Sequence, residues 1–370
     1  MRSTVIDRRA LLWGAALGFG LSPTPRLARA GTGLLVSTAR LPDRRFAVVG
    51  IEPDGTVRFV TPLPDRGHEP VIAASRGEVV VMARRPGRFL LVVDLADGSI
   101  RRHLAAPDGR HFYGHAVFDT LQRLIYTTEN DYGGGRGVIG VWDAADGYTR
   151  VGEIEAHGIG PHDLALGPDG RTLMIANGGL LTHPDSGRAK LNLSTMEPAL
   201  SAVDAKTGAL LRRLALPREL HQLSIRHLAI GPDGTTGFGM QYEGPAGDAV
   251  PLAGTWAPDG TVSLLNQEPM APADTRNYVG DLAIDATGRY LAASFPRGGR
   301  VGVWDLADRR LIGLVAAPDA CGLGNEPGTD HLWISDGAGA IGPLVLTPPL
   351  KRATISPIAG LAFDNHFARL

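Results

Sequence analysis

Four histidines recur at matched points along the chain: His68, His115, His162 and His227, separated by 47, 47 and 65 residues. Fifty-four residues further on stands Asp281, then Cys321, the only cysteine, and His366 close to the C-terminus. Imidazole, carboxylate and thiolate are the ligand types of transition metals, and neutral imidazole is the commonest of them. His111, His157 and His221 precede ring histidines by four to six residues, so eight of the eleven histidines fall on or near one recurring position. Glu69, Asp163 and Asn365 adjoin ring histidines and could orient them, although strand alternation would turn these neighbours away from the channel.

The elements that carry these residues are repeats. "PHDLALGPDGRTLMIANGG" from Pro161 matches "RHLAIGPDGTTGFGMQYEG" from Arg226 and "GDLAIDATGRYLAASFPRGG" from Gly280. Each reads as two short alternating apolar strands joined by a Pro-Asp-Gly or Ala-Thr-Gly turn, the signature of a β-hairpin. A third strand ending in Asp follows, as in "VIGVWDAADG", and then a more polar fourth. Four antiparallel strands per ~48 residues make a propeller blade, and the ~340 residues after position 30 hold seven of them. The expected fold is therefore all-β, a single seven-bladed β-propeller over residues 31–370. Blade one begins at its second strand, so its innermost strand must come from the C-terminal "FDNHFARL", closing the ring. This alignment places His366 at the ring position; an alternative puts Gly360 there. Residues Leu181–Pro198 form a polar insertion in blade four.

In a propeller the first strand of each blade lines the channel, so five His, one Asp and one Cys would face one axis. The competing reading is structural: propellers with Trp-Asp repeats keep a hydrogen-bonded His near their inner strands. That residue normally lies in the loop before the strand, whereas His162 stands only five residues before the Gly167 that opens the turn. His68, His115, His162, His227 and His366 are accordingly candidate metal ligands, with Asp281 and Cys321 as contributors. Imidazole and thiolate suit copper, and carboxylate admits iron. Two rival readings remain, a metal-dependent redox enzyme and a protein-docking scaffold.

Other chemistry is sparse. "YGGGRG" from Tyr132 lacks the strand-to-helix context of a phosphate loop. The carboxylates of "TENDY" around Asn130 read as solvated loop groups. There is no nucleophile elbow, HExxH or EF-hand loop. Lys+Arg 37 against Asp+Glu 38 gives a net charge of −1, which offers no electrostatic footprint for nucleic acid. One cysteine excludes an internal disulfide framework.

Residues 1–30 read as an export signal. Arg8-Arg9 precede a short apolar core, and Ala28-Arg29-Ala30 supply small residues for cleavage. The arginine pair resembles the twin-arginine signal, whose translocase passes folded proteins; the alternative is a general secretory signal with an incidental second arginine. Either places the mature bacterial protein outside the cytoplasm, in the periplasm.

The blade pattern looks like the bacterial YVTN-type propellers, relatives of the nitrous oxide reductase and cytochrome-type nitrite reductase propellers. More closely, the mature chain resembles domain-of-unknown-function family 1513, through "TTENDYGGGRGVIGVWD", "GIGPHDLALGPDGRTLMIANGG", "THPDSGRAKLNLSTMEP", "HQLSIRHLAIGPDG", "FGMQYEG", "NYVGDLAID" and "FDNH". That resemblance implies a propeller accompanying imelysin-like and di-haem peroxidase-like proteins, and so a place in periplasmic iron acquisition. It carries over no catalytic residue. The chain also lacks the second, copper-binding domain of nitrous oxide reductase, so reductase activity is not implied.

Overall fold

The computed structural model describes residues 33–187, 189–265, 267–325, 329, 331–353 and 357–370. The export signal expected over residues 1–30 lies outside them. Seven four-stranded antiparallel sheets follow one another around a ring. The inner strands of blades two to seven are Gly67–Ala73, Arg110–Phe118, Pro161–Leu166, Leu223–Ile230, Asp281–Ile284 and Ala320–Asn325. Blade one takes its inner strand, Ala362–Arg369, from the C-terminal segment. It pairs with Leu35–Arg40, from Leu35 opposite Arg369 to Arg40 opposite Ala362. His366 thus sits on an inner strand, as expected, and Gly360 precedes it. Among the described residues no helix is long and apolar enough to cross a membrane.

The recurring turns have a shared cause. In "GPDG", the Asp169 carboxylate accepts from the backbone N–H groups of Arg171 and Thr172, both at 2.9 Å, and Gly170 takes a left-handed φ of 63°. Short acceptor side chains and glycine are suited to this geometry. The aspartates ending the third strands act alike: Asp204 accepts from Lys206 and Thr207, and Asp305 from Ala307.

Apolar side chains of the strands fill the gaps between neighbouring sheets. Val80, Met82, Phe112 and Trp142 pack between blades two and three. The seam where the ring shuts is equally apolar, with Leu35, Val49, Trp333, Ile341, Phe363 and Phe367 buried together. Outer strands such as Ile100–Ala105 and Leu210–Ala215 are mostly exposed, which explains their polar sequence. The "TENDY" segment departs from the solvated loop expected of it. Glu129 is fully buried inside blade three, paired with Arg150 at 3.0 Å and Arg110 at 3.5 Å, and Asn130 is buried beside it.

Candidate metal centre

Six of the seven inner strands break register at the ring position. The shifts fall between Gly67 and Pro70, Phe112 and Ala116, Pro161 and Asp163, Ile225 and His227, and Ala320 and Leu323. On the closing strand the shift spans Asp364–His366. A β-bulge carries an extra residue and re-aims side chains, so neighbours that alternation would separate can share one side. Hydroxyls anchor the irregular backbone. Ser37 Oγ donates to the His366 carbonyl at 2.8 Å, Thr38 Oγ1 to that of His68 at 2.9 Å and Thr128 Oγ1 to that of His115 at 3.1 Å.

The bulges bring five imidazoles into one cluster. The His115 ring centroid lies 4.7 Å from His68, 5.1 Å from His162, 5.7 Å from His227 and 4.8 Å from His366. Around it, His68 and His366 are 4.7 Å apart, His227 and His366 5.0 Å, and His162 and His227 4.9 Å. Four of the rings are buried, and His162 is half-buried. Among the described residues two all-histidine triads have ligand atoms within 4.8 Å of one another, His68–His115–His162 and His115–His227–His366, as does the mixed group Glu69–His115–Asp163. Nitrogens on a tetrahedral ion stand about 3.4 Å apart, given metal–nitrogen bonds of about 2.1 Å.

Carboxylates lie within hydrogen-bond distance of two of the rings and near a third. His115 Nδ1 is 2.9 Å from Glu69 Oε2 and 3.3 Å from Asp163 Oδ1. His366 Nδ1 is 3.2 Å from Asp281 Oδ1, and His68 Nδ1 is 3.7 Å from Asp364 Oδ1. A carboxylate on Nδ1 fixes the ring and leaves Nε2 for a metal, the usual outer support of such sites. The Nε2 atoms of His115 and His366 and both nitrogens of His227 are buried without a hydrogen-bond partner. Buried polar atoms are rarely left so.

The electrostatics divide the cluster. Burial pushes His68, His162 and His227 well below the ordinary imidazole range, helped by their neighbouring histidines, so these rings are held neutral. Burial opposes charge on His115 too, but Asp163 and Glu69 outweigh it and raise the group to about 10.

Asp281 faces the cluster through His366, while its two oxygens also accept from the backbone N–H groups of Leu282 at 2.8 Å and Leu323 at 2.7 Å. Its place is thus beside a candidate ligand, tying blade six to blade seven. Cys321 occupies the ring position on its strand, but its thiol turns aside. Sγ donates toward the carbonyls of Asp319, at 3.2 Å, and Phe363, at 3.5 Å, and it joins neither triad. The three loop histidines also stay apart. His111 is buried, with Nε2 3.0 Å from Asn130 Nδ2 and Nδ1 2.9 Å from the Phe112 carbonyl. His157 Nε2 lies 3.4 Å from the Gly208 carbonyl, and His221 Nδ1 lies 3.0 Å from that of Arg218.

Glu69 and Asp163 face the cluster where alternation had turned them away, and the bulges are the reason. Asn365 instead donates to the Tyr278 hydroxyl at 2.7 Å. Asp364, the partner of His68, was not singled out in sequence, although it stands two residues from His366. A cavity of about 420 Å³ opens beside the cluster and reaches His68 and His162.

Comparison with curated proteins gives no match. Among solved structures the chain is similar to Kuenenia stuttgartiensis hydrazine synthase, with a TM-score of 0.62 at 15% identity, over 84% of this chain and 90% of that one. At that identity the likeness speaks to the propeller fold alone. The family described as "Protein of unknown function (DUF1513)" matches residues 61–370. With most of its length matched and seven blades in place, this chain belongs to the DUF1513 family.

Proposed function

We propose that this protein is a metal-handling propeller of the periplasm, holding iron or copper in the histidine cluster and serving as a non-catalytic accessory of an iron-uptake system. One observation carries the metal reading: imidazoles from five blades converge with buried, unpartnered nitrogens. The triad His115–His227–His366 supports it best, because it is wholly buried and carboxylates back two of its rings. Three imidazoles suit copper or iron as well as zinc. The resemblance in sequence supports iron, with imelysin-like and di-haem peroxidase-like proteins as partners. The Arg8-Arg9 signal supports export after folding, which lets a metal be inserted beforehand. The cavity reaching His68 and His162 favours a second reading, a metal-dependent redox enzyme with substrate access to the centre.

The test is metal analysis of protein exported from a twin-arginine-competent host. Near-stoichiometric iron or copper is expected, lost in a His115→Ala/His227→Ala variant that keeps the wild-type circular dichroism. Protein that arrives metal-free and takes up neither ion on titration would overturn the proposal.

A further inference from the structure

The cavity beside the cluster is lined by five cationic side chains, Arg84, Arg85, Lys190, Arg226 and Arg297, and by no carboxylate among the described residues. They come from different parts of the ring. Arg84 and Arg85 follow the second strand of blade two, and Arg297 follows that of blade six. Arg226 is the bulged residue of blade five, and the blade-four insertion brings Lys190. Two anchors hold the insertion over the rim: Asn192 Oδ1 accepts from the Leu181 N–H at 2.7 Å, and its Nδ2 donates to the Gly179 carbonyl at 2.8 Å. Buried Glu243, behind the wall, pairs with Lys190 and Arg226, and Asp364 lies 4.0 Å from Arg84. Arg297 is held in place by the Tyr278 ring, 4.5 Å below its guanidinium.

Neutral donors point to a ligand independently of the charges. The Tyr113 hydroxyl and Ser224 Oγ both belong to side chains lining the cavity, both are buried, and neither has a hydrogen-bond partner. Gly178 keeps Ser224 accessible, since a Cβ there would stand 2.7 Å from its Oγ. Guanidinium groups match carboxylate geometry, and a volume of about 420 Å³ suits a small molecule.

We propose that this vestibule binds a small polycarboxylate. Cations spread over blades two, four, five and six match several carboxylate arms held apart on one carbon frame. A single compact phosphate would reach only one side of that spread. The floor contains His68 and His162, so a bound carboxylate would lie against the imidazole cluster. The inference does not depend on a metal, because the cations and hydroxyls are present without one.

The experiment is calorimetric titration of the chelator-stripped full-length protein with citrate, with inorganic phosphate run in parallel. Saturable one-to-one citrate binding is expected, with phosphate at least tenfold weaker. Arg297→Gln/Lys190→Gln, both exposed positions, should weaken citrate at least tenfold in a protein that keeps the wild-type circular dichroism. Ser224→Ala should weaken it severalfold. No citrate binding, equal or tighter phosphate binding, or citrate affinity unmoved by the double variant would each overturn the inference. Because the protein is stripped of metal, these results leave the metal reading to be decided by its own test.

Discussion

Asp163 joins three blades through one carboxylate. From blade four, its Oδ1 lies 3.3 Å from Nδ1 of His115 in blade three, and its Oδ2 accepts from the Leu228 N–H in blade five at 2.9 Å. Asp163→Asn should keep a folded ring yet lose the charge that orients His115. Metal affinity, measured by competition with a chelator, is expected to fall about 10- to 100-fold. Asp163→Ala should in addition destabilise the protein by about 1–3 kcal/mol, because the buried Leu228 N–H loses its acceptor.

Gly114 is a second point where the centre depends on backbone. It takes a φ of +110°, and a Cβ there would meet the His68 Cβ at 2.6 Å. Gly114→Ala is expected to cost at least about 2 kcal/mol, from strain and from displacement of the imidazole. A variant that unfolds at the wild-type denaturant midpoint would refute this account.

Cys321→Ser separates the imidazole centre from a thiolate one. With Sγ directed to the carbonyls of Asp319 and Phe363, the variant should retain the full metal complement and lose only modest stability. Loss of metal from a folded serine variant would return the sulfur to the ligand set.

Phe367 anchors the seam. Its ring packs over Gly322 and Gly324, where an added Cβ would approach to 2.7 and 2.8 Å. Phe367→Ala should destabilise by about 3–5 kcal/mol, read as a lower denaturant midpoint with an unchanged slope.

Acid should weaken blade three through Glu153. Burial pushes its carboxyl up, but hydrogen bonds from Arg110 and Arg136 outweigh this and hold it at about 2, against an ordinary 4.5. The folded state therefore prefers the charged form. The resulting stability is complete above about pH 4.5 and disappears as pH falls toward 2. Glu153→Gln should cost on the order of 1 kcal/mol at neutral pH, since the group is partly solvated, and almost nothing near pH 2. Parallel thermal melts at the two pH values check it.

The blades and the ring positions were legible because the Asp-Gly turns are local and repeat, so aligning turns aligns inner strands. His68, His115, His162, His227 and His366 meet as their spacing suggested. Strand alternation misjudged Glu69 and Asp163 because it assumes a regular ladder, and bulges leave no fixed residue pattern. The turn of Cys321 away from its neighbours was hidden for a similar reason, being set by backbone carbonyls of two other segments. The cationic vestibule was missed because its members come from four blades and share no spacing. A weak signal was present: "MARRP" and "FPRGG" both place arginine just past a second strand.

The closing strand brings more than an edge to blade one. It supplies His366 to one triad and sets Asp364 beside His68 of the other, the latter pair nearly three hundred positions apart in sequence. A half-assembled wheel therefore lacks His366 from one triad and the Asp364 carboxylate beside the other. On the proposed metal reading, loading would report completed folding, and a machinery that exports only finished molecules would in effect export only those competent to carry their cargo.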